Sequence, residues 1–290
     1  MYNVAVYNSK GNSVTREKQN LIVKDNALIN ASYRLSLVEE RLIILSIIEA
    51  RESGKGINAN DPLSVHAESY IKNFNVHRNG AYKALKEACN DLFERRFSYQ
   101  EARGKGVANI TSRWVSQIAY IDHLATVELI FSPAVIPFIT RLEERFTSYE
   151  LKQISSLSSV HAMRLYELVI QWRSTGKTPV FKIDALRSKL GIENHEYARM
   201  GNFKARVLDF AITQINTHTD ITAKYEQHKS GRKITGFSFT FTQKNAVKTL
   251  SKKPKREQIT KKEAEKKAHI GESWPDLLKR LAPDFHIIDL

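Results

Sequence analysis

Between residues 36 and 243 the hydrophobic positions change period several times, and the same order of changes runs twice along the chain. Ser36 and Glu39 stand three apart ahead of an apolar stretch from Val38 to Ile48, which predicts a capped helix stopping near Gly54 and Gly56. A short strand is expected at 63–66, a short helix over AESYIKNF, a turn at 75–77 and a longer helix over 78–93. Strand-like segments at 97–100, 110–120 and 125–131 close the first half. In the second half the helix VHAMRLYELVIQWR runs toward Gly176, a strand covers 180–183, and DALRSKL forms a short helix closed by Gly191. A long helix follows with Asn202 as its N-cap, then ITAKYEQH and KITGFSFTF pair as a hairpin across a basic turn.

The two halves also share an apolar register. An offset of 116 residues pairs Val65 with Phe181, Tyr70 with Leu186, Phe74 with Leu190 and Val76 with Ile192. On the long helices the offset is 122, pairing Leu85 with Val207, Cys89 with Ala211 and Phe93 with Ile215. Helix, strand, helix, turn, helix and hairpin is the order of a winged helix, whose last helix enters the DNA major groove while the wing touches backbone. A generic small domain with a solvated basic face would account for one half but not for the duplication. The expected fold is therefore α+β: two tandem winged-helix domains at 31–148 and 149–243. An N-terminal arm (1–30) precedes them, and a basic, flexible C-terminal tail (244–290) follows.

Helical spacing then sorts faces. On the second long helix Phe203, Val207, Phe210, Ala211, Gln214 and Ile215 share an inward side, opposite Ala205, Asp209, Thr213 and Asn216. The DNA-facing candidates are Arg199, Asn202, Lys204, Ala205 and Arg206 at the helix start, with Lys229, Arg232 and Lys233 in the wing. Arg206 is placed to fork onto guanine and Ala205 to meet a thymine methyl, while Lys204 and Arg199 suit phosphate or guanine. On the first long helix Ala81, Leu85, Ala88, Cys89 and Leu92 face inward, leaving Arg78, Asn79, Lys83, Lys86 and Asn90 outward. Any one of these cations, taken singly, is an ordinary solvated charge; their clustering is what points to DNA.

Composition sharpens this picture. The chain carries 45 Lys and Arg against 31 Asp and Glu, a net charge of +14. Residues 244–268 hold ten basic and three acidic side chains and few apolar ones, which predicts a solvated arm. The remaining residues up to 243 keep +9, so the folded part is itself basic. Beyond the arm, Trp274, Leu277, Leu278, Leu281 and Phe285 form a short apolar cluster. A polyanionic partner is implied, nucleic acid or an anionic membrane surface. No stretch reaches the ~18 to 20 apolar residues of a membrane span, and the N-terminal residues lack the pattern of a secretion signal. With Cys89 the single cysteine, a reducing, cytoplasmic setting is expected. Cys89 lies on an apolar helix face and is read as a small buried hydrophobe.

Candidate chemistry is sparse. Ser174–Thr178 ends like a phosphate-binding loop, but its first glycine would fall at Gln171 inside a helix, so a turn is expected. The nine histidines offer neither a His-x-His pair nor HExxH zinc spacing. Glu39 with Glu40 and Glu143 with Glu144 flank basic residues, as on exposed helix faces. No catalytic residue, metal or cofactor is expected, and the chain is read as a binding protein and not an enzyme.

Three blocks carry a family likeness: DNALINASYRLSLVEERLIILSI, FSPAVIPFITRLEERFTSYELKQISSLSSVHAMRLYELV, and YARMGNFKARVLDFAITQINTHTDI with KSGRKITGFSFTF. Over roughly residues 25–243 the chain resembles the replication initiators of iteron-containing, theta-replicating plasmids, the RepE, RepA and RepB type. Within them it is similar to the small initiators of plasmid-like circular DNAs such as the bovine meat and milk factors. The resemblance implies a monomer that binds direct repeats, or iterons, in double-stranded origin DNA, mainly through the second domain. It implies a dimer, formed through the first domain's sheet, that binds an inverted repeat and represses the initiator's own gene. Trp114, Ile118, Tyr120, Val127 and Leu129 are the interface candidates on 111–131. It further implies the host replication initiator and replicative helicase as partners, in a bacterial cytoplasm, and no membrane. The family's basic start of the recognition helix falls on Arg199, Lys204, Ala205 and Arg206; Ala205 interrupts the basic run common there, so the base read at that step should differ. A transcription repressor alone, a DNA-nicking enzyme and a basic membrane-surface protein are the alternatives.

Overall fold

The computed structural model describes residues 20–56, 61–140 and 146–244, and beyond them 257–261, 263, 277, 281 and 285–288. The chain falls into two units, 1–244 and 245–290.

The body opens with β1 (Leu21–Asp25), α1 (Asn26–Asn30), β2 (Ser32–Tyr33) and α2 (Leu37–Ser53). The predicted capping box holds: the Glu39 amide donates to Ser36 Oγ at 3.3 Å and the Ser36 amide to Glu39 Oε2 at 2.6 Å. Helix α2 ends at Gly54, whose φ of 69° is the left-handed conformation favoured at C-caps. Its middle, Leu42 to Ile48, is buried on every side, as a helix apolar all round must be. Glu39 and Glu40, read as exposed, are buried as well.

Next come β3 (Leu63–His66), α3 (Ala67–Phe74), α4 (Arg78–Glu94), β4 (Arg96–Arg103), β5 (Gly106–Arg113), β6 (Val115–Ile121) and β7 (Thr126–Phe131). Strands β3, β7 and β6 form one antiparallel sheet, with Leu63 opposite Leu129 and Val65 opposite Val127. The single strand expected over 110–120 is two. Trp114 divides them, its amide donating to the Arg95 carbonyl at 3.3 Å and its indole buried against Tyr33 and Phe97 at centroid distances of 4.9 and 5.0 Å. There the chain leaves the sheet β2-β4-β5 and enters β3-β7-β6.

The second half follows α5 (Ile136–Thr140) with β8 (Phe146–Glu150), α6 (Lys152–Ser155), α7 (Val160–Ile170), β9 (Phe181–Lys182) and α8 (Ile183–Lys189). It continues through α9 (Met200–Phe203), a π turn (Lys204–Asp209), α10 (Phe210–His218), β10 (Ile221–Ser230) and β11 (Lys233–Gln243). Its sheet order, β10-β11-β9, repeats β6-β7-β3, so the duplicated winged helix is real, with β4 and β5 inserted in the first copy only.

Three boundaries differ from expectation. Residues 21–30 are not an arm: β1 pairs with β8 along its length, and Ile22, Leu28 and Ile29 are fully buried. Consequently the division at 148 cuts through a paired strand, and one contiguous core serves both halves. Lys244 belongs to the body and not to the tail, because its amide donates to the Asp220 carbonyl at 2.7 Å and its ammonium caps the end of α10 at the carbonyls of Asn216 and Thr219. In the second unit β12 (Glu257–Thr260) pairs in parallel with β13 (Phe285–Ile288), and Leu277 and Leu281 are buried. The part of the expected arm at 257–260 is thus strand; the rest of it beyond Lys244, apart from Lys261 and Glu263, lies outside the described residues, as do Trp274 and Leu278.

A buried charge cluster ties the halves together. Lys24 donates to Glu167 Oε1 at 2.7 Å and lies 3.4 Å from Glu40 Oε1. Arg164 donates to Glu167 Oε2 at 2.9 Å, to the Tyr33 hydroxyl, and to the carbonyls of Ile29, Ala31 and Lys189. Tyr149 donates its hydroxyl to Glu167. Burial pushes the Glu40 carboxyl up, against the pull of Lys24. Glu167 meets the same burial, but Lys24 and Arg164 together hold it below the usual carboxylate range.

Candidate nucleic-acid interface

Residues 200–218 form one continuous helix with a π turn inside it. Its N-cap is Arg199, in extended backbone and with no side-chain cap bond; Asn202, predicted as the cap, sits exposed in the first turn. Phe203, Val207, Ala211, Gln214 and Ile215 are buried, as helical spacing predicted. Phe210 departs from that reading. It is 47% exposed, and Leu208 is buried in its place. The π turn is the reason: its wider loops absorb one extra residue, so the inward stripe slips by one position. Beyond it the two long helices match at an offset of 123, pairing Ala88 with Ala211 and Leu92 with Ile215, all buried. Phe93, paired with Ile215 by a constant offset, is 38% exposed.

Ala205, Arg206, Asp209 and Thr213 are exposed on the outer side, while Asn216 is half-buried against Ala223. Lys204 is also half-buried and donates to Gln227 Oε1 at 3.2 Å; Asp209 accepts from the Tyr225 hydroxyl at 2.6 Å. These two contacts clamp the helix to the wing. Beneath it Arg187, which the sequence reading passed over, stacks its guanidinium 5.3 Å from the Phe203 ring and donates to the carbonyls of Glu193, Glu196 and Tyr197. It thereby holds the loop that delivers Arg199. Only the arginine's place on a short amphipathic helix hinted at this.

The wing is tighter than predicted. Ser230 pairs with Lys233, leaving Gly231 (φ 60°) and Arg232 as the turn. A register shift between His228 and Lys229 bends the tip, with Thr235 donating to the His228 carbonyl at 3.2 Å. Lys229, Arg232 and Lys233 are exposed. Together with Arg199 and Arg206 they form no ion pair with any described residue. The second half therefore presents these cations without an ion-pair partner among the described residues, around one helix and one hairpin.

The first half differs. Arg78, Asn79, Lys83 and Lys86 are exposed as expected, but Arg78 pairs with Glu68 at 2.6 Å and Lys83 lies 3.8 Å from Glu87. Lys86 reaches Asp122 in the first wing's tip at 2.8 Å, a hydrogen bond that raises its pKa. The proposed dimer contacts need correction. Trp114, Val127 and Leu129 are at most 1% exposed, because their side chains fill this chain's own core and not an outer sheet face. Ile118 and Tyr120 are half-buried against that core.

Elsewhere Gly176 (φ 65°) sits in a turn within the phosphate-loop-like segment, as expected. The Cys89 thiol is buried and pushed up to about 12, so it remains protonated near neutrality. Among the described residues no cluster of three or more His, Cys, Asp or Glu is arranged to hold a metal, and no helix is long and apolar enough to cross a membrane.

Comparison with known proteins gives two family matches. Residues 21–170 match the model described as Initiator Replication protein, WH1, and residues 182–241 the one described as Initiator Rep protein, WH2. A replication initiation protein of Escherichia coli is 24% identical over 219 residues, 73% of this chain and 66% of that protein. An uncharacterised 27.6 kDa protein of Escherichia coli is 26% identical over 219 residues, 73% of this chain and 91% of that protein. Among solved structures, the Pi initiator protein in complex with iteron DNA superposes with a TM-score of 0.63 at 22% identity, covering 79% of this chain and 99% of that one. The WH1 domain of MSBI1.176, a replication protein isolated from a multiple sclerosis patient, is 74% identical over 42% of this chain and 92% of its own, with a TM-score of 0.36.

Proposed function

Since the chain belongs to the initiator replication protein family, with both of its winged-helix domains matched, we propose that it starts plasmid replication by binding repeated origin sites, iterons, in double-stranded DNA. The observation that carries this is the set of unpaired cations, Arg199, Arg206, Lys229, Arg232 and Lys233, on one helix and the wing beside it. Arg206 reads a base edge, and the wing cations hold phosphates. The shared core supports a monomer that docks both halves as one body, with recognition helices in successive major grooves over about 20 bp. Self-association through the first domain, repression of the chain's own gene, recruitment of a host initiator and replicative helicase, and a bacterial cytoplasmic setting belong to the same reading. So does action by binding alone, without catalysis, since the exposed cations are spread for recognition and not gathered around a reacting group.

The test is fluorescence anisotropy on duplexes tiled across the DNA flanking the chain's own gene, at several salt concentrations, against random DNA. One repeated segment should bind about 10³-fold or more above random DNA. Arg206→Ala should cost about 1 to 3 kcal/mol on that segment and little on random DNA. Equal binding of every duplex with a steep salt slope would overturn the reading, because net charge alone would then explain the affinity.

A further inference from the structure

Phe210 is an exposed aromatic side chain on the recognition helix that the DNA-binding reading leaves unused. Asn202, Arg206 and Phe210 follow one another at four-residue steps along one exposed flank of the recognition helix, and the phenyl ring is 47% exposed. A regular helix would have turned Phe210 inward with Phe203 and Val207. The π turn instead buries Leu208 and brings Phe210 out, immediately after the Arg206 guanidinium. Single π turns inside α-helices are common at functional sites, where they re-aim a side chain at the expense of regular bonding. The ring is a lone apolar group on a polar flank, not one of the three or four anchors that a helix needs to dock in a protein groove. One turn before it on the same flank stands Arg206, an exposed cation with no ion pair to any described residue, which favours a polyanion. The apolar group that a duplex offers in its major groove is the thymine 5-methyl.

We propose that Phe210 is a specificity-determining residue that packs on a thymine methyl next to the base read by Arg206. This rests on the DNA-binding reading of helix 200–218 and adds to it an apolar contact. The full-length chain would first select a duplex from a randomised 24-bp pool. Each thymine of that duplex, on both strands, is then replaced in turn by deoxyuridine, which removes only the methyl. At one or two positions wild type should lose about fourfold in affinity, the worth of one buried methyl-sized group. Phe210→Ala should bind the thymine and deoxyuridine duplexes alike there, and Phe210→Leu, which keeps an apolar tip, should retain part of the discrimination. Indifference of wild type to every replacement, or an undiminished loss in Phe210→Ala, overturns the methyl contact while leaving DNA reading intact. A pool from which no duplex is enriched overturns the DNA-binding reading, and the methyl contact with it.

Discussion

Glu40 and Glu167 occupy one buried cluster yet lean in opposite directions, and the difference predicts how each substitution behaves. Glu167 answers both Lys24 and Arg164. Glu167→Gln should therefore cost about 3 to 5 kcal/mol in urea unfolding at pH 7, the usual penalty for leaving buried charges unpaired. Glu40 has a raised carboxyl and one oxygen, Oε2, without a hydrogen-bond partner among the described residues. A folded-state pKa above the unfolded value means that its ionised form opposes folding, fully above the folded pKa and less as pH falls through it. Glu40→Gln should thus gain most relative to wild type at neutral pH, with the gap closing as pH drops toward the ordinary carboxylate range. A gap that widens in acid would contradict the assignment. Gly191 offers a second contrast: at φ 70° an added Cβ would lie 2.5 Å from the Tyr33 carbonyl oxygen, whereas at Gly54, φ 69°, it would meet nothing. Both alanine variants carry the left-handed penalty of ~1 to 2 kcal/mol, but Gly191→Ala should lower the thermal midpoint further, because it also drives the halves apart.

At the level of elements, the two winged helices are alike in topology and unlike in charge. The first long helix has its cations paired, Arg78 with Glu68 of α3 and Lys86 with Asp122 of the wing tip, whereas the second leaves its cations open. Lys233→Ala should weaken binding to all duplexes alike and flatten the salt slope by about one unit. Lys86→Ala should change the slope less, since that charge is already partnered. Equal slopes would mean that Lys86 leaves Asp122 for phosphate in the complex. Much of this level was legible in the sequence: the capping box, both short helices, the inward face of α4 and the basic hairpin all follow from local spacing. The π turn was not, because one surplus residue is absorbed by tertiary packing of Leu208 and leaves no composition signal. Nor was the break at Trp114, where a strand-like run passes without a glycine or proline from one sheet to the next.

For the whole molecule, the body closes at Lys244 and forms a unit without residues 245–290. A chain ending at Lys244 should unfold with the full-length midpoint of the body and keep its preferred duplex. A chain ending at Gln243 loses the ammonium at the end of α10 and should be less stable by about 0.3 to 1 kcal/mol. Loss of duplex preference in the longer truncation would assign residues 245–290 a part in recognition.

The sequence by itself determined the kind of fold, its duplication, the basic character of the second helix and wing, and the family likeness. These depend on periodicity, turn residues and charge, all of which are local. Only the tertiary structure decided which cations remain unpaired, which apolar residues face outward, and that 21–30 and both halves share one core. These depend on groups brought together from far apart in the chain: Lys24 on Glu167, Lys86 on Asp122, and β1 on β8. Trp114, Val127 and Leu129 illustrate the limit, since an alternating strand has two faces and only the packed molecule shows which one is already filled.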